Sequence, residues 1–287
     1  MPTEILALVA NLALDLFTIT SMLAVGMSLT VKEIIRPLRN LRQMLLILFA
    51  SFVLLPLWAL LLTWVLPLGD EQKTALILLG ACAGGPFIPL LVQTVKGNMP
   101  LAAGAMVLLL VITIFFVPLV LPLMLPDVQV DAPTIARDLI LFMLVPLIIG
   151  LLVRWRIPNQ ASRWQPNFSR FSMLSLLVML FTGTIPALPK IINTLGTLLI
   201  PSAILLALGG WGIGYFLAFR QESRLRKVIS LGTGQRNLAA ALLVAAHSFS
   251  ADTFVMTLVA CLVLTLTMFL VAAEWMRRSS NTVAVDS

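Results

Sequence analysis

The stretch that decides the fold is "SLGTGQRNLAAALL", residues 230–243. It places Gln235, Arg236 and Asn237 inside a segment that otherwise has the apolar composition of a buried helix. Gly232 and Gly234 come immediately before these three polar residues. Which partners such an arginine requires depends on whether the segment lies in water or in lipid. The composition of the whole chain decides between the two.

The composition is that of a membrane protein. The chain has 287 residues, of which 60% are hydrophobic and 11% charged, whereas soluble domains contain about 25% charged residues. A helical crossing of a bilayer needs roughly 20 mostly apolar residues. The sequence therefore predicts an all-α polytopic membrane protein with nine transmembrane helices. These segments are about 5–30, 43–66, 74–96, 100–125, 134–155, 169–188, 196–219, 226–247 and 252–275.

The basic residues indicate the orientation of the chain. With the N-terminus outside, fifteen basic residues fall on the inner side of the membrane and three on the outer side. The inner group is Lys32, Arg36, Arg39, Arg42, Lys96, Arg154, Arg156, Arg163, Arg170, Arg220, Arg224, Arg226, Lys227, Arg277 and Arg278, and the outer group is Lys73, Arg137 and Lys190. This asymmetry follows the positive-inside rule. We expect a multi-pass protein of the cell (inner) membrane with a cytoplasmic C-terminus, and no nucleic-acid partner.

The order of the segments indicates an inverted repeat within one transmembrane domain, residues 1–287. The polar stretch 154–170 follows a linking helix at about 134–155. Four predicted helices come before this linking helix, and four come after the polar stretch. Repeat one covers about 5–125 and repeat two about 169–276, with a polar tail at 279–287. The third helix of each repeat is irregular, and interrupted helices in matching positions are typical of a transporter's binding site.

The first irregular helix reads "LLGACAGGPFIPLLVQTVKGN", residues 78–98. Gly84, Gly85, Pro86 and Pro89 lie near its middle, where glycine relaxes the backbone and proline removes an N–H donor. One interpretation is a proline kink stabilised by neighbouring helices. The second is a break that lines a cavity, because freed backbone groups in hydrocarbon must be satisfied by protein or water. The matching cluster in the second irregular helix favours the break.

Arg236 falls near the bilayer midplane, between Lys227 on the inner side and His247 on the outer side. A charge at that depth costs about 2.5–3.5 kcal/mol, so we expect a compensating partner. Asp15, in the first predicted span, lies at a similar depth. Two interpretations stay open here: a structural ion pair between Asp15 and Arg236, or a functional role in which Arg236 binds an anionic substrate or Asp15 exchanges a proton.

Three stretches resemble the bile acid:sodium symporter family. "GTGQRNLAAALLVAAHSF" (232–249) is similar to that family's Glu-x-Gly-x-Gln-Asn motif and the Leu-Ala-rich run after it. "GACAGGPFIPLLVQTVKGN" (80–98) is similar to its Cys-Pro-Gly-Gly motif with an Arg-Gly-Asn ending, and "AVGMSLT" (24–30) to its Gly-Met-Gly-Leu-Thr. The resemblance implies a core and a panel domain, two broken helices that cross in the core, and substrate handled beside the crossing.

The departures from the family pattern concern its sodium sites. The positions that the resemblance assigns to sodium-binding side chains hold residues of other types here: Gly232, Ile88, Pro89, Ala102, Met106, Ser51 and Arg236. A hard cation needs several oxygen ligands, so we expect no sodium coupling through these sites and the guanidinium of Arg236 near a cation position. Gly234 and Asn237 match the family, which implies that the crossing itself persists.

The sequence therefore predicts a secondary transporter, or facilitator, of a small organic solute, an organic anion in particular. The predicted substrate-binding residues are Thr233, Gln235, Arg236, Asn237, Gly85, Pro86 and Pro89. The alternatives are a proton-coupled carrier that uses Asp15 and a membrane scaffold or sensor that does not transport. No catalytic constellation or metal-ligand cluster is visible, so we expect neither enzyme activity nor a cofactor. The lipid bilayer is the expected partner, the oligomeric state stays open, and His247 is interpreted as a solvated interfacial residue.

Overall fold

The computed structural model describes residues 2–30, 32–33, 40–126 and 128–285. Within these ranges the protein is helical and contains no strand. Arg36 and Arg39 of the predicted inner basic group lie outside the described residues. We number the helices in chain order: α1 (Pro2–Ser28), α2 (Leu41–Val65), α3 (Asp70–Ala81), α4 (Ile88–Thr94), α5 (Met99–Met124), α6 (Ala132–Arg156), α7 (Pro158–Leu195), α8 (Leu199–Leu217), α9 (Ser223–Gly234), α10 (Leu238–Ser248) and α11 (Ala251–Val285).

Seven helices in the described part of the chain are long and apolar enough to cross a bilayer, namely α1, α2, α5, α6, α7, α8 and α11. The two segments predicted to be interrupted, 74–96 and 226–247, are each divided into two shorter helices, α3 with α4 and α9 with α10. The chain is thus a polytopic helical membrane protein, and both interruptions occur where the glycine and proline clusters predict them.

Helix α7 differs most from the sequence prediction. The sequence predicts that the polar stretch 154–170 lies between two spans, but the helix begins within it at Pro158 and runs to Leu195, past the predicted end at 188. Proline is favoured in a first helical turn because its missing N–H has no intrahelical acceptor there. Ser162 Oγ donates to Pro158 O at 3.0 Å, and Arg154 Nη1 donates to Ser162 Oγ at 2.5 Å. These bonds stabilise a helix start in a polar sequence. Helix α11 likewise continues to Val285, through most of the predicted polar tail, whose last two residues, 286 and 287, lie outside the described part.

Helices α2 and α6 each contain one π-helical turn, at Ala50–Leu54 and Ile140–Leu144. In both, a proline follows two residues after the turn, at Pro56 and Pro146. A proline within a helix leaves one carbonyl without its N–H donor, and a π-turn is one way in which a helix accommodates such a disruption. The two helices therefore stay continuous, although each exposes a carbonyl that needs another partner.

Helix α1 packs along α7 and α6. Its contact with α6 depends on two glycines, because a Cβ on Gly26 would lie 2.5 Å from Leu147 O and a Cβ on Gly150 would lie 2.5 Å from Leu23 O. The paired half-helices pack with each other and with α2, α5, α8 and α11, and α10 also packs against α1 and the first part of α6. Large side chains such as Phe115, Leu119 and Phe181 are exposed, which is the arrangement expected for surfaces that face acyl chains.

Candidate functional site at the crossing of two broken helices

The two interruptions touch each other at the centre of the helix group. The first connects α3 to α4 through residues 82–87, and the second connects α9 to α10 through residues 235–237. Asn237 N donates to Cys82 O at 2.9 Å, so one extended segment hydrogen-bonds to the other. A Cβ on Gly85 would lie only 2.3 Å from Arg236 O. Glycine is therefore required for the two backbones to approach this closely.

The first interruption is held against helix α5. Gly84 has φ +80°, a left-handed conformation, and a Cβ there would lie 2.2 Å from Leu110 N. Next to it, Thr113 Oγ1 accepts from Ala83 N and donates to Ala83 O, both at 3.0 Å. One hydroxyl group thus satisfies both backbone groups of a residue that has left the helix, as buried backbone polar groups require.

Arg236 lies where two helices end. Its side chain is fully buried. Its Nε donates to Leu79 O at 2.8 Å and its Nη2 to Gly80 O at 2.6 Å, at the C-terminus of α3. Its Nη1 donates to Thr233 O at 3.4 Å, at the C-terminus of α9. Helix C-termini carry partial negative charge and unpaired carbonyls, so a guanidinium at their meeting point satisfies the backbone and is itself compensated.

A fourth acceptor comes from the π-turn in α2. The N–H of Leu55 donates to Ala50 O, one residue further back than in an α-helix, and Pro56 after it has no N–H. The carbonyl of Ser51 is therefore left without either of these donors. Arg236 Nη2 lies 3.4 Å from Ser51 O, so the guanidinium also binds a carbonyl that the helix cannot satisfy.

The predicted ion pair between Asp15 and Arg236 is wrong. Arg236 directs its N–H groups to the four backbone carbonyls, whereas Asp15 Oδ1 lies 3.2 Å from His247 Nε2. His247 Nδ1 in turn lies 2.9 Å from Asp138 Oδ2. The interpretation of His247 as simply solvated is therefore also wrong. Helix C-termini compensate a buried cation without a carboxylate, and this arrangement depends on how the helices pack.

The predicted substrate-binding residues fall into two groups. Thr233, Gln235, Arg236 and Asn237 are fully buried and Gly85 is buried, so in this conformation they do not face a cavity. Pro86 and Pro89, by contrast, line a cavity of about 360 Å³. The polar side chains around this cavity carry hydroxyls and amides, and they are Ser21, Ser28, Gln93, Gln165, Ser169 and Ser172. It lies between α1, α4 and the N-terminal half of α7.

A second cavity, of about 300 Å³, lies along the opposite ends of the same two long helices. It is lined by the N-terminal part of α1, including Asn11, and by the C-terminal part of α7, including Lys190. Ala246 of α10 and Asp252 of α11 complete it. The two cavities thus lie at opposite ends of the boundary between the α1–α7 pair and the broken helices.

Polar side chains at the crossing keep unused hydrogen-bonding capacity. Asn237 Oδ1 accepts from Ala240 N at 3.1 Å and so caps α10. Gln235 Nε2 donates to Arg236 O at 3.2 Å. Asn237 Nδ2, Gln235 Oε1 and Ser51 Oγ are buried without a partner in the described part of the chain. The crossing is therefore polar as well as charged.

Thr113 is a site residue that the sequence analysis missed, although the sequence held a signal for it. It is the only polar side chain in the 26 residues of helix α5, and hydroxyl side chains are among the groups that satisfy freed backbone groups within a membrane. The acceptors of Arg236 had no such signal, because every residue has a carbonyl.

Long apolar helices around a crossing of two broken helices, with an arginine buried at the centre, define a helical multi-pass membrane protein built around a polar core. The family model of the sodium bile acid symporter family matches residues 15–194. The chain belongs to this family, and the family and the relatives below are transporters and not enzymes. The matched range includes the first interruption and ends before α8.

Individual relatives cover more of the chain. A sodium-dependent organic anion transporter of Mus musculus is 30% identical over 268 residues, which is 87% of this chain and 69% of the relative. Sodium/bile acid cotransporter 4 of Mus musculus is 29% identical over 228 residues, 76% of this chain and 52% of the relative. A probable chloroplastic sodium/metabolite cotransporter of Oryza sativa subsp. japonica is 26% identical over 259 residues, covering 85% of the chain and 59% of the relative. The chain thus spans about half the length of the mouse cotransporter 4.

Proposed function

We propose that this protein is a carrier of small organic anions that works by alternating access. In this proposal α3 with α4, and α9 with α10, each make one crossing, so that the seven continuous helices and two split ones give nine crossings. Repeat one (about 5–125) and repeat two (about 169–276) then run in opposite senses, joined by the linking helix. The charge asymmetry supports an outer N-terminus and a cytoplasmic C-terminus in the cell membrane.

The positions of the two cavities support alternating access. The cavity of about 360 Å³ lies toward the end of α1 that precedes Lys32, the inner end by the charge distribution. The cavity of about 300 Å³ lies toward the opposite end. A rocking of the α1–α7 pair against the broken helices would enlarge one cavity while it closes the other, as in carriers built from repeats. The anion would be bound by hydroxyl and amide donors beside Pro86 and Pro89.

The two cavities carry the proposal of a carrier, and its independence from sodium rests on the guanidinium of Arg236 on the carbonyls of Leu79 and Gly80, at the meeting point of the broken helices. A permanent cation there makes a bound metal cation unnecessary for holding the crossing together. Ile88 and Ala102, at positions that the family resemblance assigns to sodium ligands, are fully buried and apolar. We therefore propose that transport is not coupled to sodium through these sites.

The test is uptake into proteoliposomes with and without an inward sodium gradient. Suitable probes are taurocholate, a bile acid, and benzenesulfonate, a smaller organic anion, because both stay ionised and cross bilayers slowly. We expect exchange of a labelled anion across the membrane that is the same in sodium and potassium buffers. Uptake that requires the sodium gradient would refute the proposal that transport is independent of sodium, but it would not refute the proposal of a carrier.

A scaffold that does not transport is the second candidate, and one observation favours it: all acceptors of Arg236 are backbone carbonyls, as expected of a structural role. Replacing Arg236 therefore does not separate the candidates, because both lose stability. Gln93→Ala does, since Gln93 is exposed and lines the inner cavity. A carrier should lose anion exchange with its melting temperature unchanged. Gln160→Ala, exposed and outside that cavity, is the matched control and should leave both unchanged.

A further inference from the structure

The imidazole of His247 lies between two carboxylates from two other helices. His247, in the last turn of α10, has its Nε2 3.2 Å from Asp15 Oδ1 on α1. Its Nδ1 lies 2.9 Å from Asp138 Oδ2 on α6. The ring of Phe142 meets the imidazole edge to face, with 5.5 Å between centroids. The ring is therefore held from three sides, and α1, α6 and α10 meet at one side chain.

Two carboxylates around one ring favour an imidazolium over a neutral imidazole. A neutral imidazole has one N–H and one lone pair, and only the imidazolium donates from both nitrogens. Here Nδ1 hydrogen-bonds to Asp138 Oδ2, and Nε2 lies 3.2 Å from Asp15 Oδ1 as an ion-pair contact whose angle is outside hydrogen-bond geometry. With a neutral ring, the nitrogen without a hydrogen would place its lone pair beside a carboxylate oxygen, which is unfavourable. Because the two carboxylates lie at opposite ends of the ring, their oxygens do not converge on one point where a metal ion could bind.

The surrounding charges agree with a bound proton. Arg137 Nη2 lies 3.1 Å from Asp138 Oδ1, so Asp15, Asp138 and Arg137 together carry one negative charge that an imidazolium neutralises. The other helices that pack against α10 are α3 and α11. Their nearby charged side chains either form ion pairs or lie at an exposed helix end. On α11, Asp252 pairs with Lys190 of α7; at the start of α3, Asp70 lies 3.8 Å from Lys73, beside the exposed Glu71.

We infer that Asp15, His247 and Asp138 form a proton-binding site, and that its proton holds the outer ends of α1 and α10 together. This inference rests on the proposed function. The proton joins α1, which packs with α7, to α10, which is half of a broken helix. When these two groups rock apart at the outer end, Asp15 separates from His247, the imidazolium loses one of its two carboxylates, and the proton is released through Asp15 into the outer cavity.

The outer cavity supplies a route for that proton. Its lining includes Ala246, next to His247, and Asn11, one helical turn from Asp15. The side chains of Asp15 and His247 are each 22% exposed, whereas that of Asp138 is 5% exposed. Proton exchange is therefore expected through Asp15 and the outer cavity, with Asp138 as the buried anchor of the ring.

The protonation state can be read directly, because His247 is the only histidine of the chain. Protein labelled with ring-¹⁵N histidine and purified with a tag that lacks histidine gives nitrogen signals from this residue alone. At pH 7.5 we expect two protonated ring nitrogens. In Asp15→Asn and in Asp138→Asn, the ratio of imidazolium to neutral imidazole should fall at least about tenfold, since removing a nearby opposite charge has an effect of that size. The exposed Asp70→Asn is the matched control and should leave the ratio unchanged.

The closure is measured as exchange of benzenesulfonate in proteoliposomes that have the same pH on both sides, compared at acid and at alkaline pH. Because the bound proton holds the outer ends together, we expect exchange to be slower at acid pH in the wild type and in Asp70→Asn. In His247→Gln we expect exchange that does not change with pH.

The outcomes test the proton site, the role of its proton and the proposed function separately. A neutral ring in the wild type, or an unchanged ratio in both aspartate variants, would overturn the proton site. Anion exchange in the wild type that does not change with pH would overturn the closure and leave the carrier standing. Absence of exchange of either probe, with the imidazolium intact, would overturn the proposed function while the proton site stands.

Discussion

Replacing Arg236 with methionine removes the cation that closes the crossing. Its two short bonds, 2.8 Å to Leu79 O and 2.6 Å to Gly80 O, would each contribute about 1.5–3 kcal/mol as charge-assisted hydrogen bonds. Their loss costs about 3–6 kcal/mol, and part of this is offset because methionine carries no charge that must be desolvated. We expect a net loss near the lower figure, about 3 kcal/mol of unfolding free energy, with the carbonyls left unpaired.

The measurement is thermal unfolding of purified protein in detergent. A loss of about 3 kcal/mol corresponds to a fall in melting temperature of about 6 °C or more, at roughly 2 °C per kcal/mol for a chain of this size. Arg236→Lys should fall in between, because an ammonium cannot reproduce the planar fork of donors. The exposed Arg163→Met is the control. If Arg236→Met melted within 2 °C of the wild type, the capping argument would be refuted.

Gly84→Ala puts an alanine in a left-handed conformation and places its Cβ 2.2 Å from Leu110 N. The backbone strain alone costs about 1–3 kcal/mol. We expect a lower melting temperature than in Gly69→Ala, where the nearest atom to the new Cβ is 3.9 Å away. Thr113→Val leaves both backbone groups of Ala83 unpaired, at about 1–3 kcal/mol each; an unchanged melting temperature would contradict this. The Asp131 carboxylate accepts from the hydroxyl and the N–H of Thr134, and these bonds hold its pKa below the usual value. The resulting stabilisation of the first turn of α6 is present at neutral pH and lost as the pH falls through that lowered pKa. Amide hydrogen exchange of this turn should show the loss in the wild type and not in Asp131→Asn.

The amino-acid sequence determined that the chain lies in a lipid bilayer, that it is helical, and where two of its helices are interrupted. These are local or compositional properties: a long apolar run can span a bilayer only as a helix, and the cluster from Gly84 to Pro89 cannot continue one. The sequence also placed Arg236 and Asn237 at the second interruption. It did not reveal that α7 begins at Pro158, because a helix start in a polar stretch depends on bonds such as that between Arg154 and Ser162.

Only the tertiary structure decided which groups meet at the centre. Charge alone paired Arg236 with Asp15, whereas packing brings the guanidinium to the carbonyl ends of α3 and α9 and brings Asp15 to His247. The physical reason is that carbonyls at a helix end bind a cation as a carboxylate does, yet every residue has a carbonyl, so the residue types of Leu79, Gly80 and Thr233 do not mark them as partners of Arg236. Which carbonyls are free, and where they point, depends on how the helices are arranged in space.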